Sequence, residues 1–217
     1  MHLSPATVGS PVGTYGLAIH TSSSDFGLAI SNFSRDRRVQ TWVLGRDLSM
    51  YLHTYLVDFL QPQSWSDLAF IAVAKGPGGF TGTRLGVVTA RTLAQQLEIP
   101  LFGISSLAAI AYAESLKGVQ DAIAIQMKAQ RGEVFGAIYQ PTTTGLETLL
   151  EDTVLPLEQW QHQLSAWSEP LKLVVIEEGV GSTVDSLLAL AHLKWQQGDR
   201  SHWADTLPFY GQHPVDR

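Results

Sequence analysis

Cysteine is absent from the 217-residue sequence. This absence excludes disulfides, catalytic thiolates and cysteine-based metal sites. The seven histidines form neither an HExxH motif nor an HxxxH pair, so a histidine-bound zinc or iron ion is not indicated. No apolar run approaches the roughly 20 residues that a membrane-spanning helix needs. The sequence therefore does not predict a thiol enzyme, a histidine metalloenzyme or a membrane protein.

Positive charge is also scarce. The formal net charge is −6, and the basic residues that cluster are Arg35, Arg37 and Arg38. A free-standing nucleic-acid-binding protein is expected to carry a larger basic patch, so contact with RNA would require a more basic partner. The first 14 residues are rich in serine, proline and glycine and lack the apolar segment of a secretion signal. We interpret residues 1–14 as a flexible tail and predict a cytoplasmic protein.

The most informative stretch is 71–107, which reads IAVAKGPGGFTGTRLGVVTARTLAQQLEIPLFGISSL. Its first residues predict a buried strand, the glycines after it interrupt regular structure, and Thr83–Glu98 predicts a helix. A glycine-rich turn at the start of a helix can bind an anion. Because P-loop and GxGxxG motifs are both missing, spacing alone favours a tight turn into a buried helix. The residues of the candidate anion or nucleotide loop are Gly76, Gly78, Gly79, Thr81, Gly82 and Arg84.

Two predicted helices in the first half have more apolar surface than one buried face requires. The helix Thr83–Glu98 has small residues at every fourth position, and the helix Asp47–Leu60 has a second apolar flank beside its main face. The small residues are Gly82, Gly86, Ala90 and Ala94, and the flank consists of Met50, Tyr51, Tyr55 and Val57. Two interpretations stay open at this point: packing within the chain, or burial of a second side by a partner.

Alternation and turn signals predict the order of elements. The first half is expected to form an antiparallel three-stranded meander followed by helices and strands, in the order βββαβαβα. The second half repeats the beginning of this order as βββαβα. A meander extended by right-handed crossovers forms a ribonuclease H-like lobe. We therefore predict an α/β protein of two tandem ribonuclease H-like lobes, residues 15–117 and 118–217, with mixed sheets flanked by helices, as in actin, sugar kinases and Hsp70-like ATPases.

The glycine-rich segment Lys75–Gly86 reads KGPGGFTGTRLG. It closely resembles GRGPGSFTGVRIG, the signature of the TsaB (YeaZ-like) family, whose members are scaffold subunits related to TsaD in bacterial synthesis of tRNA threonylcarbamoyladenosine. Gly103–Leu107 resembles the GVSTL segment of the family, and Ala129–Phe135 resembles its DARxGEVY segment. Leu207–Tyr210 resembles the C-terminal EPVYLR. The resemblance covers most of residues 16–140.

Two departures from the family pattern remove acidic side chains. Thr21 and Ser22 occupy the place of an N-terminal DTS motif, with His20 where the family has aspartate. Lys128 lies near the place where another carboxylate is expected. In the ATPase relatives such carboxylates help to hold a metal–nucleotide complex, which needs hard oxygen ligands. The resemblance therefore implies a non-catalytic protein without a metal or cofactor of its own. The resemblance implies that a nucleotide, where one is bound, lies at the interface between this chain and TsaD.

The resemblance also implies partners. TsaB pairs with its catalytic sister TsaD, which modifies adenosine 37 of tRNA, through the first two helices of the N-terminal lobe. It forms homodimers by the same surface when alone, and the ATPase TsaE joins the pair. Contact with tRNA is expected only through the complex. Carried over by position, the interface residues here are Met50, Tyr51, Thr54, Val57, Val87, Ala90, Arg91 and Ala94.

Two other classes of protein stay open. An active ATPase or kinase with duplicated lobes would turn over ATP in the presence of magnesium. A peptidase, which is a label attached to relatives of this family, would need a nucleophile such as Ser22 beside a base, or an acid–base pair such as Asp25 and Glu133. The sequence places no base beside the serine.

Overall fold

The computed structural model describes residues 13–209 and Gly211. The strands are β1 (Tyr15–His20), β2 (Asp25–Ser31), β3 (Arg37–Val43), β4 (Leu68–Ala74), β5 (Leu101–Ile104), β6 (Ala122–Lys128), β7 (Glu133–Thr142), β8 (Gly145–Pro156) and β9 (Leu171–Ile176). The α-helices are α1 (Leu48–Leu60), α2 (Phe80–Leu97), α3 (Ser106–Ser115), α4 (Leu157–Ser165) and α5 (Val184–Gln196). Residues 1–12 of the predicted tail lie outside the described part. The amide of Thr14, at the end of that predicted tail, already donates to the carbonyl of Asp67 at 2.9 Å.

The first sheet has the strand order β3-β2-β1-β4-β5. The three strands of the meander pair antiparallel, and β4 and β5 extend the sheet by parallel pairing. The sequence of β4, LAFIAVA, is apolar throughout and buried at every position, as expected for a parallel strand covered on both faces. The predicted order βββαβαβα is therefore confirmed for the first half.

Each face of this sheet is covered by two helices. On one face, α1 and α2 pack against large strand residues such as Leu17 and Ile19 of β1. On the other face, α3 and α5 pack against small residues such as Ala18 and Ala72. Alternation along β1 thus directs successive side chains into two separate cores.

The position of α5 differs from the sequence-based prediction. The helix that follows Gly179 is expected in the C-terminal lobe, residues 118–217. In the structure it packs on β1, β2, β4 and β5 of the first sheet, where Val184 and Leu187 lie against the alanine-rich face. Alanine side chains leave space above a sheet that a leucine-rich helix can fill. The segment predicted for the second lobe therefore supplies a helix to the first sheet, although the sheets themselves come from the two predicted segments.

The second sheet has the order β8-β7-β6-β9, with β6 and β9 parallel and the other pairs antiparallel. Helix α4 covers its outer face, where the fully buried Trp160 lies against Gly136 of β7. Helix α3 packs between the two sheets. Together the two sheets form the predicted α/β fold of two tandem ribonuclease H-like lobes.

Helix α3 also connects the lobes by a polar contact. Its N-cap, Ser105, accepts hydrogen bonds from the amides of Leu107 and Ala108. The same hydroxyl donates to Asp152 of β8 at 2.9 Å, and the Tyr139 hydroxyl donates to that carboxylate at 2.7 Å.

Within residues 13–209, no helix combines the length and apolarity that a membrane crossing requires.

Candidate functional site

Helix α1 divides its side chains between the core and the surface. Leu48, Leu52 and Leu56 lie at helical spacing and are buried in the first core. On the opposite side, Met50 and Val57 are 69% and 49% exposed, and they share one stripe with the exposed Thr54. Tyr51 is also exposed and stacks on Tyr55 with ring centroids 5.7 Å apart. The predicted second apolar side of α1 is therefore open in the single chain.

Three of the predicted interface residues on α2 are buried within the chain, which corrects the sequence-based prediction. Val87, Ala90 and Ala94 are 0% exposed and belong to the core beneath α1 and α2. Periodicity shows that small residues share one face of a helix, but it does not show which way that face points. These three side chains cannot contact a partner unless the lobe unfolds.

The glycines of the same stripe explain why it faces inward. A Cβ atom added at Gly82 would collide with the carbonyl oxygen of Thr21, and one added at Gly86 would collide with the Thr21 hydroxyl. Glycine allows the α2 backbone to approach the end of β1 this closely. The small-residue stripe therefore serves packing within the chain.

The outward face of α2 is largely polar. Its exposed residues at positions i, i+3, i+7, i+11 and i+14 are Thr81, Arg84, Val88, Thr92 and Gln95. Val88, which is 53% exposed, and the exposed Phe80 are the large apolar side chains of this helix that face solvent. The partly exposed Arg91 guanidinium lies 5.9 Å from the centre of the Trp203 ring. Met50, Thr54, Val57 and Val88 form what we call the outer helix face.

A cleft of about 520 Å³ lies between the two lobes. The β1–β2 turn contributes Ser22–Ser24, the loop before α2 contributes Gly78 and Gly79, and the second lobe contributes residues around Lys128 and Glu177. Basic and acidic side chains both line it, so its charge does not select a ligand of one sign.

The glycine-rich loop packs tightly against the floor of this cleft. The amide of Gly79 donates to the carbonyl of Ser22 at 2.7 Å, and a Cβ atom at Gly78 would collide with that carbonyl. Gly76 and Gly78 have φ angles of +100° and +158°. The loop is therefore a tight turn into a buried helix, as the spacing of its residues predicts. It needs glycine because the backbone of the β1–β2 turn lies so close that a side chain would collide with it.

The start of α2 lies three residues before the predicted one. Its N-cap is Gly79, which has no side chain to form a cap hydrogen bond. Thr81 and Arg84 are exposed and do not line the cleft. Of the six residues predicted for an anion loop, Gly78 and Gly79 line the cleft. An anion-binding role for the loop stays a prediction.

The two positions where the sequence departs from the family pattern have different surroundings. His20 is fully buried and does not line the cleft, and burial lowers its pKa to about 4. The ring is therefore neutral at pH 7. Lys128 is exposed at the end of β6 and lines the cleft. Neither residue supplies a carboxylate.

The acidic residues of the cleft are Glu177 and Glu178, which lie after β9. Among residues 13–209 and Gly211, no three histidine or acidic side chains form a group that could hold a metal ion. Phe209 from the C-terminal segment also lines the cleft and packs against the core of the second lobe. A peptidase mechanism lacks support too, because the buried Ser22 hydroxyl has no hydrogen-bond partner in the described chain.

Comparisons with known proteins agree with this geometry. A family model described as TsaD, tRNA N6-adenosine threonylcarbamoyltransferase, matches residues 61–192, more than half of the chain. The tRNA threonylcarbamoyladenosine biosynthesis protein TsaB of Bacillus subtilis strain 168 is 33% identical over 162 residues, which cover 71% of this chain and 68% of that protein. TsaB of Escherichia coli K12 is 35% identical over 83 residues, which cover 38% of this chain and 36% of that protein.

Solved structures show the same fold. YeaZ from Pseudomonas aeruginosa has a TM-score of 0.74 and 23% sequence identity, and the match covers 91% of this chain and 99% of that one. A structure from the same organism, described as an uncharacterized protein with similarity to peptidase YeaZ, has a TM-score of 0.76, 23% identity and coverage of 92% and 100%.

The two sheets, each part of a ribonuclease H-like lobe, define the α/β fold class of this protein. The 33% sequence identity to TsaB of Bacillus subtilis, over 71% of this chain, narrows the fold class to one family. The chain belongs to the TsaB family of tRNA threonylcarbamoyladenosine biosynthesis proteins. The resemblance carried by Lys75–Gly86 is thereby confirmed.

Proposed function

We propose that this chain is a non-catalytic scaffold subunit in the synthesis of N6-threonylcarbamoyladenosine at position 37 of tRNA. In this role it binds and activates a catalytic sister, TsaD. The observation that carries the proposal is the outer helix face, in a chain of the TsaB family: α1 leaves Met50 and Val57 exposed, and α2, which packs on the same core, leaves Val88 exposed. Apolar side chains grouped on neighbouring helices are typical of a surface that another protein covers.

The outer helix face is suited to pairing with two helices of a related lobe. Methionine and valine side chains supply apolar area, and burying each one contributes about 1.5–3 kcal/mol. Thr54, between Met50 and Val57, is small enough to let a partner helix approach closely. In the absence of TsaD, we expect the same surface to pair two copies of this chain.

Several observations support a role without catalysis. The neutral, buried His20 supplies no charge to a nucleotide site, and the Ser22 hydroxyl is not activated by a base among the described residues. An active ATPase or kinase is the second candidate, because the fold is that of actin-like ATPases. We favour the scaffold because the described residues do not group into a metal site. The scaffold needs no cofactor of its own, and any nucleotide would bind at the interface with TsaD.

The remaining partners follow from the same proposal. We propose that a TsaE-like ATPase joins the pair and that the assembly works in the cytoplasm, where tRNA is modified. Contact with tRNA is indirect, since the basic cluster of the chain is used within its own fold. Arg37 forms an ion pair with Asp185, and Arg38 donates to the carbonyl of Leu60 at 3.2 Å.

Reconstituted synthesis tests the proposal. Purified TsaD, a TsaE-like ATPase, tRNA and a threonylcarbamoyl donor are incubated with and without this chain, and the modified nucleoside is measured by mass spectrometry. We expect the yield to rise strongly with the chain and to be zero with the chain alone. The double variant with Met50→Glu and Val57→Glu is expected to lose the ability to stimulate synthesis of the modified nucleoside.

The matched control is Leu116→Glu, at an exposed apolar position after α3. It is expected to stimulate synthesis like the wild-type chain. Magnesium-dependent ATP turnover by the isolated chain would instead favour the ATPase, and a yield that is the same with and without the chain would contradict the scaffold.

A further inference from the structure

Residues 201–209 cross from the first lobe to the second. The amide of Leu101 in β5 donates to the carbonyl of Ser201 at 3.1 Å, and the hydroxyl of Thr206 donates to the carbonyl of Leu101 at 3.4 Å. Further along, the amide of Phe209 donates to the carbonyl of Lys75 at 2.6 Å. The segment therefore follows the edge of the first sheet and then passes over the end of β4. We call residues 206–209 the strap.

The surface under the strap has glycines where it runs closest. A Cβ atom added at Gly103 would lie 2.8 Å from the Thr206 methyl group, and one added at Gly76 would lie 2.5 Å from the carbonyl oxygen of Phe209. Two glycines from different elements thus make room for the same short segment. Thr206 is buried although it lies in an irregular segment.

The far end of the strap lies in the second lobe. The ring of Phe209 packs against the core cluster that contains Met127, Phe135 and Val180, and it lines the interlobe cleft. Gly211, just beyond it, lies so close to Phe135 that an added Cβ atom would be 2.8 Å from the ring. One short segment is therefore hydrogen-bonded to the first lobe and packed into the second.

We propose that the strap is a releasable closure of the interlobe cleft. Docked, it holds the two lobes together and fills part of the cleft with Phe209. Released, it opens the cleft and exposes the Lys75 carbonyl and the apolar surface around Phe135. The attachment consists of few hydrogen bonds, the small buried side chain of Thr206 and one partly buried ring, so local release requires less free energy than unfolding of either sheet.

Distance measurements between the lobes test the proposal, because the chain has no cysteine to interfere with labelling. Spin labels are placed at Ser24→Cys and Lys128→Cys, two exposed positions on opposite sides of the cleft. Phe209→Ala is expected to add a population at longer distance to the wild-type distribution. Leu207→Ala, an exposed residue of the same strap, is the matched control and should retain the wild-type distribution.

Hydrogen exchange supplies a second readout on the unlabelled chain. In Phe209→Ala, the protection of the amide at position 209 should fall about 10-fold or more. The amide of Ile71, which is bonded to the carbonyl of Pro100 within the first lobe, should keep its protection. A folded Phe209→Ala chain with unchanged distances and protection would overturn the proposal. Cooperative unfolding of that variant would overturn it as well, since the strap would then be an inseparable part of the core.

Discussion

The buried imidazole of His20 predicts a specific loss of stability in acid. Its ring is fully buried at the end of β1, and the amide of Ser22 lies 3.4 Å from Nδ1. Burial lowers the pKa of His20 from 6.5 to about 4. In the unfolded chain the imidazole takes up a proton below pH 6.5, whereas in the folded chain it stays neutral until about pH 4.

The size and sign of the effect follow from this difference. The unfolded state binds more protons between the two pKa values, so the free energy of unfolding decreases as the pH falls. The free energy that the neutral His20 contributes to stability is fully present above pH 6.5 and is lost by about pH 4. At 1.36 kcal/mol for each pKa unit, the difference of about 2.5 corresponds to about 3 kcal/mol, of which about 2 kcal/mol is lost at pH 5.

Urea unfolding of wild-type chain and His20→Asn between pH 7 and pH 5 measures this contribution. The free energy of unfolding of the wild-type chain should fall by about 2 kcal/mol more than that of the variant. His192, whose pKa burial also lowers, is present in both proteins and cancels in the comparison. Equal pH dependence of wild type and His20→Asn would refute the reasoning.

Two further predictions concern contacts within the fold. Burial raises the pKa of Asp152, so its charge opposes folding at neutral pH, and Asp152→Asn should leave the free energy of unfolding unchanged or increase it. Asp152→Ala, which leaves the hydroxyls of Ser105 and Tyr139 without this acceptor, should reduce it by about 1–3 kcal/mol in urea titrations at pH 7. A larger loss in the asparagine variant would contradict this account. Gly86→Ala should lower the free energy of unfolding by about 1–3 kcal/mol, because its methyl group collides with Thr21; a wild-type melting temperature would show that α2 can shift without cost.

Local patterns predict the elements of this chain well. The apolar run of β4, the glycines that follow it and the proline after Glu98 define strand, turn and helix without reference to the rest of the chain. The meander β1–β3 follows from the short polar turns between its strands. These features depend on neighbouring residues, so they can be read from the sequence.

Long-range packing is harder to predict. The pattern of α5 indicates a helix, but the choice of the first sheet depends on the alanines of that sheet, which are distant in sequence. The direction of the small-residue stripe on α2 depends on the approach of Gly86 to Thr21. The contacts of Thr206 and Phe209 are made with Leu101 and Lys75, which lie 105 and 134 positions earlier in the chain. Glycines at Gly76 and Gly103 do not by themselves reveal such a segment.

Affinity for TsaD tests the central claim most directly, namely that the outer helix face is a binding surface. Isothermal titration of TsaD with wild-type chain, Met50→Glu, Val57→Glu and Leu116→Glu gives the dissociation constants. A charge at the centre of an apolar contact costs about 2 kcal/mol or more, so the first two variants should bind at least about 30-fold more weakly. Leu116→Glu should bind like wild type. Wild-type affinity in the Met50 and Val57 variants would contradict the account.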